Sequence, residues 1–489
     1  MSVAELAGDC LQSPSKGSLE MIRIFNQYVS AKSLLLIFME TSLMVLALLC
    51  GVRLRFWNSP IEFESYTQLP DFVWQGLVFA AIFQICFYCS DLYDLRAFHH
   101  RNEQYASLGQ SLGAGCVLLG LIYFVFPNLL IGRGVFFIST AFAAAFVLVS
   151  RLTLDAAWRI AAPAQNILIL GTGELALAVA QELNRRGDLD TRLIGFIEPG
   201  AARGNYPWAL LGFQVMGTAE QLPSIAAQHN ISRIVVAMED RRGTLPIRDL
   251  VRLRVQGVQI EDAHSTVALL SGRVWLPTVK PSWFVFSDGF RRSRLNLALK
   301  RTLDLAFGLT GLMVSFPLMA LIGLAIRLDS RGPVIYWQTR VGLRGKPFEV
   351  LKFRSMCVNA EEPGTAQWAQ HNDARVTRVG RFLRNYRLDE MPQFLNVIRG
   401  EMSFVGPRPE RPAFVERLRQ EISYYDERHS VRPGLTGWAQ VSYQYGASLE
   451  DAFRKLEYDL FYLKNMSIFF DCAIVLKTVR IVLNGQGGR

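Results

Sequence analysis

Four long apolar runs near the start of the chain restrict its fold more than any other feature. Each holds about 19–21 residues, enough for a helix that rises 1.5 Å per residue to cross ~30 Å of hydrocarbon. The runs are Ser33–Val52, Phe72–Leu92, Leu108–Phe126 and Gly134–Leu152. With 51% hydrophobic and only 19% charged residues, the chain is neither disordered nor a fully soluble enzyme. We predict a membrane α-helical bundle of four transmembrane helices over residues 1–160.

The charge of the chain is unevenly distributed. The net charge is +10, but residues 1–165 carry 10 basic against 11 acidic groups, so the surplus lies in residues 166–489. This pattern is typical of a membrane anchor joined to a domain that binds anions. Four crossings return the chain to its starting side, and the chain after Ser150 is basic, with Arg151 and Arg159. The positive-inside rule therefore predicts that the C-terminal part faces the cytoplasm.

Two smaller features also concern the membrane part. Glu40 lies inside the first apolar run, where an ionised carboxylate is expensive; the sequence leaves open whether it faces a partner helix or is protonated. The first run begins only near Ser33, so we expect no signal peptide.

Seven scattered cysteines form no disulfide framework and fit a reducing compartment.

The middle of the chain has the pattern of a Rossmann-like α/β domain, which we predict over residues 161–290. An apolar strand from Asn166 is followed by Gly171, Gly173 and Ala176. This G-x-G-x-x-A loop lets a backbone approach a pyrophosphate at a helix N-terminus. The motif alone is a weak signal. A structural role, regulatory binding of a nucleotide and NAD-dependent chemistry therefore stay open.

NAD binding would make the chain a membrane-bound UDP-sugar dehydratase or epimerase. Such an enzyme needs a Tyr-x-x-x-Lys base, and the sequence has this spacing only at Tyr28 and Lys32, before the first apolar run. A third hypothesis is a non-catalytic membrane scaffold that senses a nucleotide.

A fifth apolar run, Ala306–Ile326, is also long enough to cross a membrane. Basic residues flank it on both sides, so a spanning helix would put one basic cluster on the wrong side. Pro317 at its midpoint removes a helix hydrogen bond, and Ser315 is able to bond a freed carbonyl. We predict a re-entrant membrane hairpin broken at these two residues. The alternative is a spanning helix kinked by the proline.

The segment after this hairpin is rich in arginine. Residues 331–410 hold 13 basic and 8 acidic groups. Guanidinium groups suit phosphate oxygens, and a basic face also suits anionic lipid headgroups. We expect no nucleic-acid partner, because the neighbouring apolar hairpin would hold this surface against the bilayer.

Asp389 and Glu390 form an adjacent carboxylate pair within this basic segment. Pro392 fits the first turn of a helix that ends at Gly400, so the helix dipole and nearby arginines favour ionised carboxylates. Adjacent side chains do not share a helix face, so we expect separate roles. One carboxylate attacks a phosphoryl group, and the other holds Mg²⁺ or orients the phosphate. The alternative is helix capping with an ion pair between Arg387 and Glu390.

Residues from about Lys300 onward resemble the bacterial sugar transferase family, the polyprenyl-phosphate sugar-1-phosphate transferases that begin exopolysaccharide and O-antigen assembly. Together with the four predicted membrane helices, the chain resembles the long form of this family. The resemblance implies a mixed α/β catalytic domain over residues 291–489. It rests on an ordered series of motifs: Lys300-Arg-Thr-Leu-Asp304, Pro317, Gly332-Pro333, Gln338-x-Arg340-x-Gly342, Lys352-Phe-Arg354-Ser-Met356, Leu388-Asp389-Glu390-x-Pro392-Gln393, Gly406-Pro407-Arg408-Pro409, Arg432-Pro433-Gly434-Leu-Thr436-Gly437, and Asp459 to Lys464.

The resemblance implies a two-step transfer in the bacterial inner membrane. Asp389 would attack the sugar-bearing phosphate of a UDP-sugar and release UMP, and undecaprenyl phosphate would then take the phosphosugar. Glu390 matches the metal-associated carboxylate of the family, which implies Mg²⁺. Further residues match positions that bind phosphate or nucleotide: Lys352, Arg384, Arg408, Arg432 and Asp459. The sugar (glucose or a related hexose) stays open, as does the oligomeric state, including a homo-oligomer.

Overall fold

The computed structural model describes thirteen stretches of the chain. They are residues 21–24, 27–90, 92–93, 101–161, 165–185, 191–200, 214–238, 244–287, 289–290, 293–357, 375–443, 446 and 448–483. The chain divides into two compact units. The first comprises the residues before 262 except Gly173–Val179, and the second comprises Gly173–Val179 and the residues from Asp262 onward. The predicted boundaries at residues 160 and 290 stay predictions, because this division separates the chain only into two parts.

The described N-terminal part is a helical bundle preceded by a small antiparallel hairpin of β1 (Met21–Ile24) and β2 (Gln27–Ser30). Long apolar segments favour helices here because each helix satisfies its own backbone hydrogen bonds. The helices are α1 (Ala31–Arg55), α2 (Pro60–Thr67), α3 (Phe72–Cys89), α4 (Arg101–Val125) and α5 (Arg133–Ala161). Side chains from α1, α3, α4 and α5 share one buried apolar core.

Glu40 of α1 faces a partner on another helix. Arg151 of α5 donates from Nε to Glu40 Oε1 at 2.7 Å and from Nη2 to Oε2 at 3.2 Å. The hydroxyl of Tyr93 donates to Oε2 at 2.7 Å, and Arg151 Nη1 donates to the carbonyl of Leu92 at 3.1 Å. Both charged side chains are buried. The sequence left open whether Glu40 faces a partner helix or is protonated, and in the structure it faces a partner helix.

A five-stranded sheet follows in the same unit, in the order β5-β4-β3-β6-β7. The pairs β3–β4, β3–β6 and β4–β5 are parallel, which is the Rossmann-like arrangement that the sequence predicted. The elements are β3 (Gln165–Leu170), α6 (Glu174–Arg185), β4 (Thr191–Glu198), β5 (Val215–Thr218), α7 (Leu222–Gln228), β6 (Arg233–Val236), α8 (Ile247–Val255) and β7 (Gln259–Asp262).

The glycine loop after β3 has a structural reason for its first glycine. Gly171 has a φ of +129°, and a Cβ on it would lie 2.5 Å from the carbonyl oxygen of Ala237 at the end of β6. Only glycine tolerates both conditions. Gly173 directly precedes α6, and Ala176 is buried within that helix. Nucleotide binding by these residues stays a prediction.

The second unit holds the segment with the carboxylate pair. Two of its strands form an antiparallel hairpin, β8–β9, and two others pair in parallel, β10–β11. Its elements are α9 (Ala263–Ser271), α10 (Pro281–Phe286), α11 (Arg294–Asp329), β8 (Ile335–Val341), β9 (Pro347–Phe353), α12 (Arg378–Asn385), α13 (Phe394–Arg399), β10 (Ser403–Val405), α14 (Pro412–Glu421), β11 (Gly434–Thr436), α15 (Trp438–Ser442), α16 (Leu449–Asn465) and α17 (Ile468–Leu483).

Helix α11 runs for 36 residues without interruption, with Pro317 inside it. The hydroxyl of Ser315 lies 3.4 Å from the carbonyl of Leu312, whereas a proline at 317 frees the carbonyl of Met313. The sequence predicted a break here, and the structure instead keeps one helix through both residues. The predicted re-entrant hairpin stays a prediction.

Five helices among the described residues are long and apolar enough to cross a membrane, judged by length and composition. They are α1, α3, α4, α5 and α11. The first four coincide with the four apolar runs of the sequence. In α11 many large apolar side chains between Leu309 and Leu328 are exposed, which gives the unit that carries the carboxylate pair a long apolar surface.

Candidate active site

The carboxylate pair lies on a short 3₁₀ helix, Leu388–Gln393, that leads directly into α13. Helix α13 ends at Gly400, whose φ is +83°, so the predicted helix end is confirmed. Pro392 lies inside the 3₁₀ helix rather than in the first turn of α13. The tighter 3₁₀ turn accommodates the proline and puts Asp389 and Glu390 before the α-helix proper, where both are buried.

Two cations hold Glu390. Its Oε1 accepts a hydrogen bond from Arg408 Nη2 at 2.6 Å and one from Lys352 Nζ at 3.3 Å. All three side chains are largely shielded from solvent. Charge-assisted hydrogen bonds of this kind are short and strong when water is excluded. The predicted residues Lys352, Glu390 and Arg408 therefore meet in one buried cluster beside Asp389.

The two carboxylates differ in their acidity. Burial would raise the pKa of Glu390, but the charges of Arg408 and Lys352 hold it well below its usual range. Burial raises the pKa of Asp389 to about 6, against the lowering effect of the Lys352 charge. The sequence predicted two carboxylates kept ionised by basic neighbours. In the structure Glu390 is the strongly acidic one, and Asp389 is the one that gains a proton first.

The lysine of the cluster is itself perturbed. Burial lowers the pKa of the Lys352 ammonium, and the charge on Glu390 opposes this change. Lysine is readily shifted in this way because its charge is compact and strongly hydrated. The ion pair with Glu390 therefore maintains the positive charge at this position.

Asn396 holds the strand of Lys352 against the helix that follows the carboxylates. Its Oδ1 accepts from the backbone N–H of Leu351 at 3.0 Å, and its Nδ2 donates to the carbonyl of Glu349 at 2.7 Å. The sequence analysis missed this residue. The available signal was a single polar side chain in the apolar run Phe394–Ile398.

Two glycine- and proline-rich motifs meet next to the cluster. Strands β10 and β11 pair, and the loops that follow and precede them approach so closely that a Cβ on Gly406 would lie 2.5 Å from the carbonyl of Arg432. The N–H of Gly406 donates to Thr436 at 2.8 Å, and that of Gly434 donates to Pro407 at 2.9 Å. This close approach sets the path of the loop that carries Arg408.

The remaining predicted residues lie at different distances from this cluster. The charge of Arg384 contributes to lowering the pKa of Asp389, so Arg384 belongs to the same electrostatic site. Arg432 is exposed beside the Arg408 loop. Asp459 on α16 is buried and pairs with Arg428 Nη2 at 2.9 Å. Phosphate binding by Arg432 and Asp459 stays a prediction.

Several motif residues turn out to fix helix α11 to its own unit. Lys300 Nζ pairs with Asp471 at 2.6 Å, and Asp304 accepts from the hydroxyl of Ser403 at 2.9 Å and from the N–H of Phe404 at 2.8 Å. At the other end, Arg354 donates to the carbonyl of Ser330 at 2.7 Å. The sequence pattern contained these residues but not this role.

Binding of Mg²⁺ at the carboxylate pair stays a prediction. Lys352 and Arg408 both contact Oε1 of Glu390. No cluster of three or more His, Cys, Asp or Glu side chains able to hold a metal occurs in the described part of the chain. Mg²⁺ does not require such a cluster, because proteins commonly bind it through one or two carboxylates together with substrate phosphates.

Comparison with known families gives two matches. Residues 295–485 match the family described as bacterial sugar transferase, and residues 89–261 match a family described as CoA-binding domain. The first match contains the whole carboxylate cluster.

Individual relatives also match parts of the chain. The chain is 47% identical to a UDP-N-acetylgalactosamine-undecaprenyl-phosphate N-acetylgalactosaminephosphotransferase of Aeromonas hydrophila over 191 residues, which are 39% of this chain and 45% of that protein. It is 47% identical to a UDP-glucose:undecaprenyl-phosphate glucose-1-phosphate transferase of Escherichia coli over 310 residues, 56% of this chain and 62% of that protein.

These two matches cover less than two thirds of each relative. A shorter relative is covered more fully. A UDP-glucose:undecaprenyl-phosphate glucose-1-phosphate transferase of Caulobacter vibrioides is 44% identical over 186 residues, 38% of this chain and 69% of that protein. The motif series, the carboxylate cluster and these matches agree, and the chain belongs to the bacterial sugar transferase family.

Proposed function

We propose that this protein transfers a sugar-1-phosphate from UDP-glucose or a related UDP-hexose to undecaprenyl phosphate, the first step of exopolysaccharide, capsule or O-antigen synthesis. The relatives named above carry out this kind of transfer with glucose or N-acetylgalactosamine. The observation that carries the proposal is the pair itself. Asp389 is buried beside Glu390, and Glu390 is held by Arg408 and Lys352, so the two carboxylates are suited to different roles.

In the first step a carboxylate oxygen of Asp389 attacks the sugar-bearing phosphorus of the UDP-sugar. A new oxygen–phosphorus bond forms, the bond between the two phosphates breaks, and UMP leaves with the bonding electrons. The product is a phosphosugar esterified to Asp389, a form of covalent catalysis. Attack requires the ionised carboxylate, which a pKa of about 6 supplies at neutral pH.

In the second step a phosphate oxygen of undecaprenyl phosphate attacks the same phosphorus. The bond to Asp389 breaks, the carboxylate is regenerated, and the lipid diphosphate-sugar leaves. Arg384, Arg408 and Lys352 put positive charge around the reacting phosphate, where preorganised charges stabilise a transition state most effectively.

Glu390 is the residue we assign to Mg²⁺. When bound, Mg²⁺ would neutralise charge on the diphosphate and favour departure of UMP. Arg408 and Lys352 keep Glu390 ionised and fixed in place, so it remains able to bind the ion across the whole working pH range.

The membrane arrangement we propose has four spanning helices, α1, α3, α4 and α5, with the catalytic domain on the cytoplasmic face of the bacterial inner membrane. Helix α11 enters the bilayer and returns to the same face. Support comes from its contacts at both ends. Asp304 bonds to Ser403 and Phe404, and Ile322 and Ile326 pack with Phe353 and Leu383.

Those two sets of contacts support a return to the same face over a simple crossing. Asp304 and Ile326 would lie roughly 33 Å apart along a straight helix at 1.5 Å per residue, about the thickness of the hydrocarbon layer. A spanning α11 would require parts of one domain on both sides of the membrane. We therefore expect the exposed apolar side chains of α11 to enter only the cytoplasmic leaflet.

The reaction is tested by UMP release from a panel of UDP-sugars that includes UDP-glucose and UDP-N-acetylgalactosamine, with and without undecaprenyl phosphate. We expect one enzyme equivalent of UMP without lipid, sustained release with it, and an intact-mass increase equal to the phosphosugar. Asp389→Asn should abolish all three signals, whereas Asp329→Asn, at an exposed carboxylate of α11, should retain them. Strict dependence on both substrates, with no adduct, would contradict the covalent step.

The topology is tested by labelling single cysteines at the two ends of α11 in a cysteine-free background. Ser293→Cys and Arg331→Cys should both react with an impermeant maleimide in inside-out vesicles and neither in right-side-out vesicles. Reaction from opposite sides would establish a spanning helix instead.

A further inference from the structure

The loop that carries Arg408 is fastened through its backbone. Three consecutive carbonyls, those of residues 407–409, each accept a hydrogen bond from a different part of the unit. The donors are Gly434 N at 2.9 Å, Arg428 Nη2 at 2.9 Å and Arg340 Nη1 at 3.1 Å. The prolines on either side of Arg408 have no N–H, so these carbonyls are the groups through which the loop is held.

Arg428 is the donor that acts at Arg408 itself, and it is held in turn. Its side chain is only 6% exposed. Nη1 donates to the hydroxyl of Tyr425 at 2.6 Å, and Nη2 lies 2.9 Å from Asp459 Oδ2. A buried charge is stable only when it is paired and hydrogen-bonded. Tyr425 and Asp459 satisfy this requirement, and they fix the direction of the guanidinium group.

The contacts therefore form a continuous path to the carboxylate cluster. Asp459 holds Arg428, Arg428 holds the backbone of Arg408, and the guanidinium group of Arg408 contacts Glu390 at 2.6 Å. Arg428 needs two nitrogens in a rigid fork, one for the hydroxyl and one for the carboxylate and the carbonyl. A lysine has a single nitrogen on a flexible chain and does not reproduce this arrangement.

We propose that Arg428, held by Asp459 and Tyr425, is a positioning residue that fixes the Arg408 backbone so that the Arg408 side chain meets Glu390. This inference rests on the proposed function of the Asp389–Glu390 site. It also gives Asp459 a different role from the phosphate contact expected from the sequence. Asp459 acts through Arg428 and Arg408 rather than on the substrate.

A double-mutant cycle on UMP release tests the path. Displacing a catalytic group by about 1 Å costs on the order of a hundredfold in rate, so Arg428→Lys should lower kcat/KM by about ten- to a hundredfold. Arg408→Lys should have a comparable or larger effect. Because Arg428 acts only through Arg408, the double variant should be within about threefold of Arg408→Lys alone. Effects that simply multiply, or a fully active Arg428→Lys enzyme, would overturn the inference.

A second double-mutant cycle, between Asp459 and Arg428, tests the role of Asp459. Asp459→Asn combined with Arg428→Lys should be no less active than Arg428→Lys alone, because both substitutions interrupt one path. Independent, multiplying losses would mean that Asp459 contacts the substrate directly, and the assignment would be wrong.

Loss of folding is separated from loss of positioning by a matched control. Arg273 is a second largely buried arginine paired with an acid of α16, since its Nη1 lies 2.7 Å from Glu457, but it has no part in the Arg408 loop. Arg273→Lys should lower thermal stability and leave UMP release within about threefold of wild type.

If Arg428→Lys does not fold, Tyr425→Phe is a milder test, because it removes only the hydroxyl acceptor of Arg428. A loss of about threefold that disappears in the Arg408→Lys background is then expected, and a loss that persists there contradicts the inference.

Failure of the inference is distinguishable from failure of the proposed function. A wild-type protein that releases no UMP from any UDP-sugar contradicts the function. Normal release by wild type, together with normal release by Arg428→Lys, contradicts only the positioning role.

Discussion

At the scale of single residues, the adjacent carboxylates Asp389 and Glu390 differ in pKa because only Glu390 accepts hydrogen bonds from cationic side chains among the contacts described above. Glu390 accepts from both Arg408 and Lys352, whereas for Asp389 burial is the largest effect and raises its pKa to about 6. The folded protein therefore binds the Asp389 proton more tightly than the unfolded chain, in which the ordinary value of 3.8 applies. The nucleophile we propose is thus a destabilising residue at neutral pH.

Asp389→Asn should raise the stability of the protein while abolishing transfer. The stability associated with the raised pKa of Asp389 is complete below pH 3.8 and is lost as the pH rises through about 6. A neutral amide avoids this loss, so at pH 7.5 we expect a gain of about 1–3 kcal/mol and a higher Tm in detergent. The gain should shrink toward pH 4. A Tm below that of wild type at pH 7.5, with Asp329→Asn unchanged, would contradict this.

The sequence pointed to the residues of the carboxylate cluster better than to the residues that support them. Lys352, Asp389, Glu390 and Arg408 stand in recognisable motifs. Arg428 does not, because it lies in a run of charged residues typical of a solvated turn, and its partners Arg408 and Asp459 are distant in sequence. Long-range burial of this kind leaves no local pattern.

At the scale of elements, the predicted ends of a helix agree best with the structure where one physical signal in the sequence dominates. The apolar run that begins at Phe72 became α3 with the same first residue, and Phe79 and Phe83 of this helix are in the core. Strand β5 gives no clear signal in the sequence, because it is four residues long and none of its residues is fully buried. Pro317 was expected to break α11, but one missing hydrogen bond did not end a helix of 36 residues.

Asp304 should be the residue on which the attachment of α11 most depends. It is 3% exposed and accepts from two donors, Ser403 Oγ and Phe404 N. Asp304→Ala removes the acceptor of the Phe404 N–H, whereas the hydroxyl of Ser403 still has the Val405 carbonyl at 3.0 Å. The change should cost roughly 1–3 kcal/mol and lower the Tm and protease resistance of the protein in detergent. Thr302→Ala, two residues away on the exposed side of the helix, should change stability little. Equal effects of the two substitutions would show that Asp304 is not the anchor.

At the scale of the whole molecule, the chain combines a membrane bundle with a polar centre, a Rossmann-like sheet and a catalytic unit. Hydrophobic runs predicted the bundle because length and composition suffice for it. They did not identify Arg151 as the partner of Glu40, because these residues belong to α1 and α5 and are joined only by folding. The charge pair makes an otherwise expensive carboxylate tolerable inside the bundle.

Breaking that pair should destabilise the bundle strongly. Glu40→Leu leaves Arg151 buried without its carboxylate, a change that typically costs about 3–5 kcal/mol, and Arg151→Leu likewise leaves Glu40 without its partner. The double variant Glu40→Leu with Arg151→Leu should lose less than the sum of the single losses, because it removes both charges. Thermal unfolding in detergent measures all three, with Glu62→Ala on the exposed face of α2 as the control. Additive losses would show that the two charges are not coupled.

Both ends of α11 contact the unit that carries Asp389, through hydrogen bonds at one end and apolar packing at the other. In the membrane arrangement that we propose, the depth of this helix in lipid therefore also fixes the height of Asp389 above the acyl chains. A thinner or thicker bilayer would move the helix and the proposed nucleophile together. The proposed reaction would then meet a lipid phosphate at a constant level, whatever the length of the isoprenoid tail beneath it.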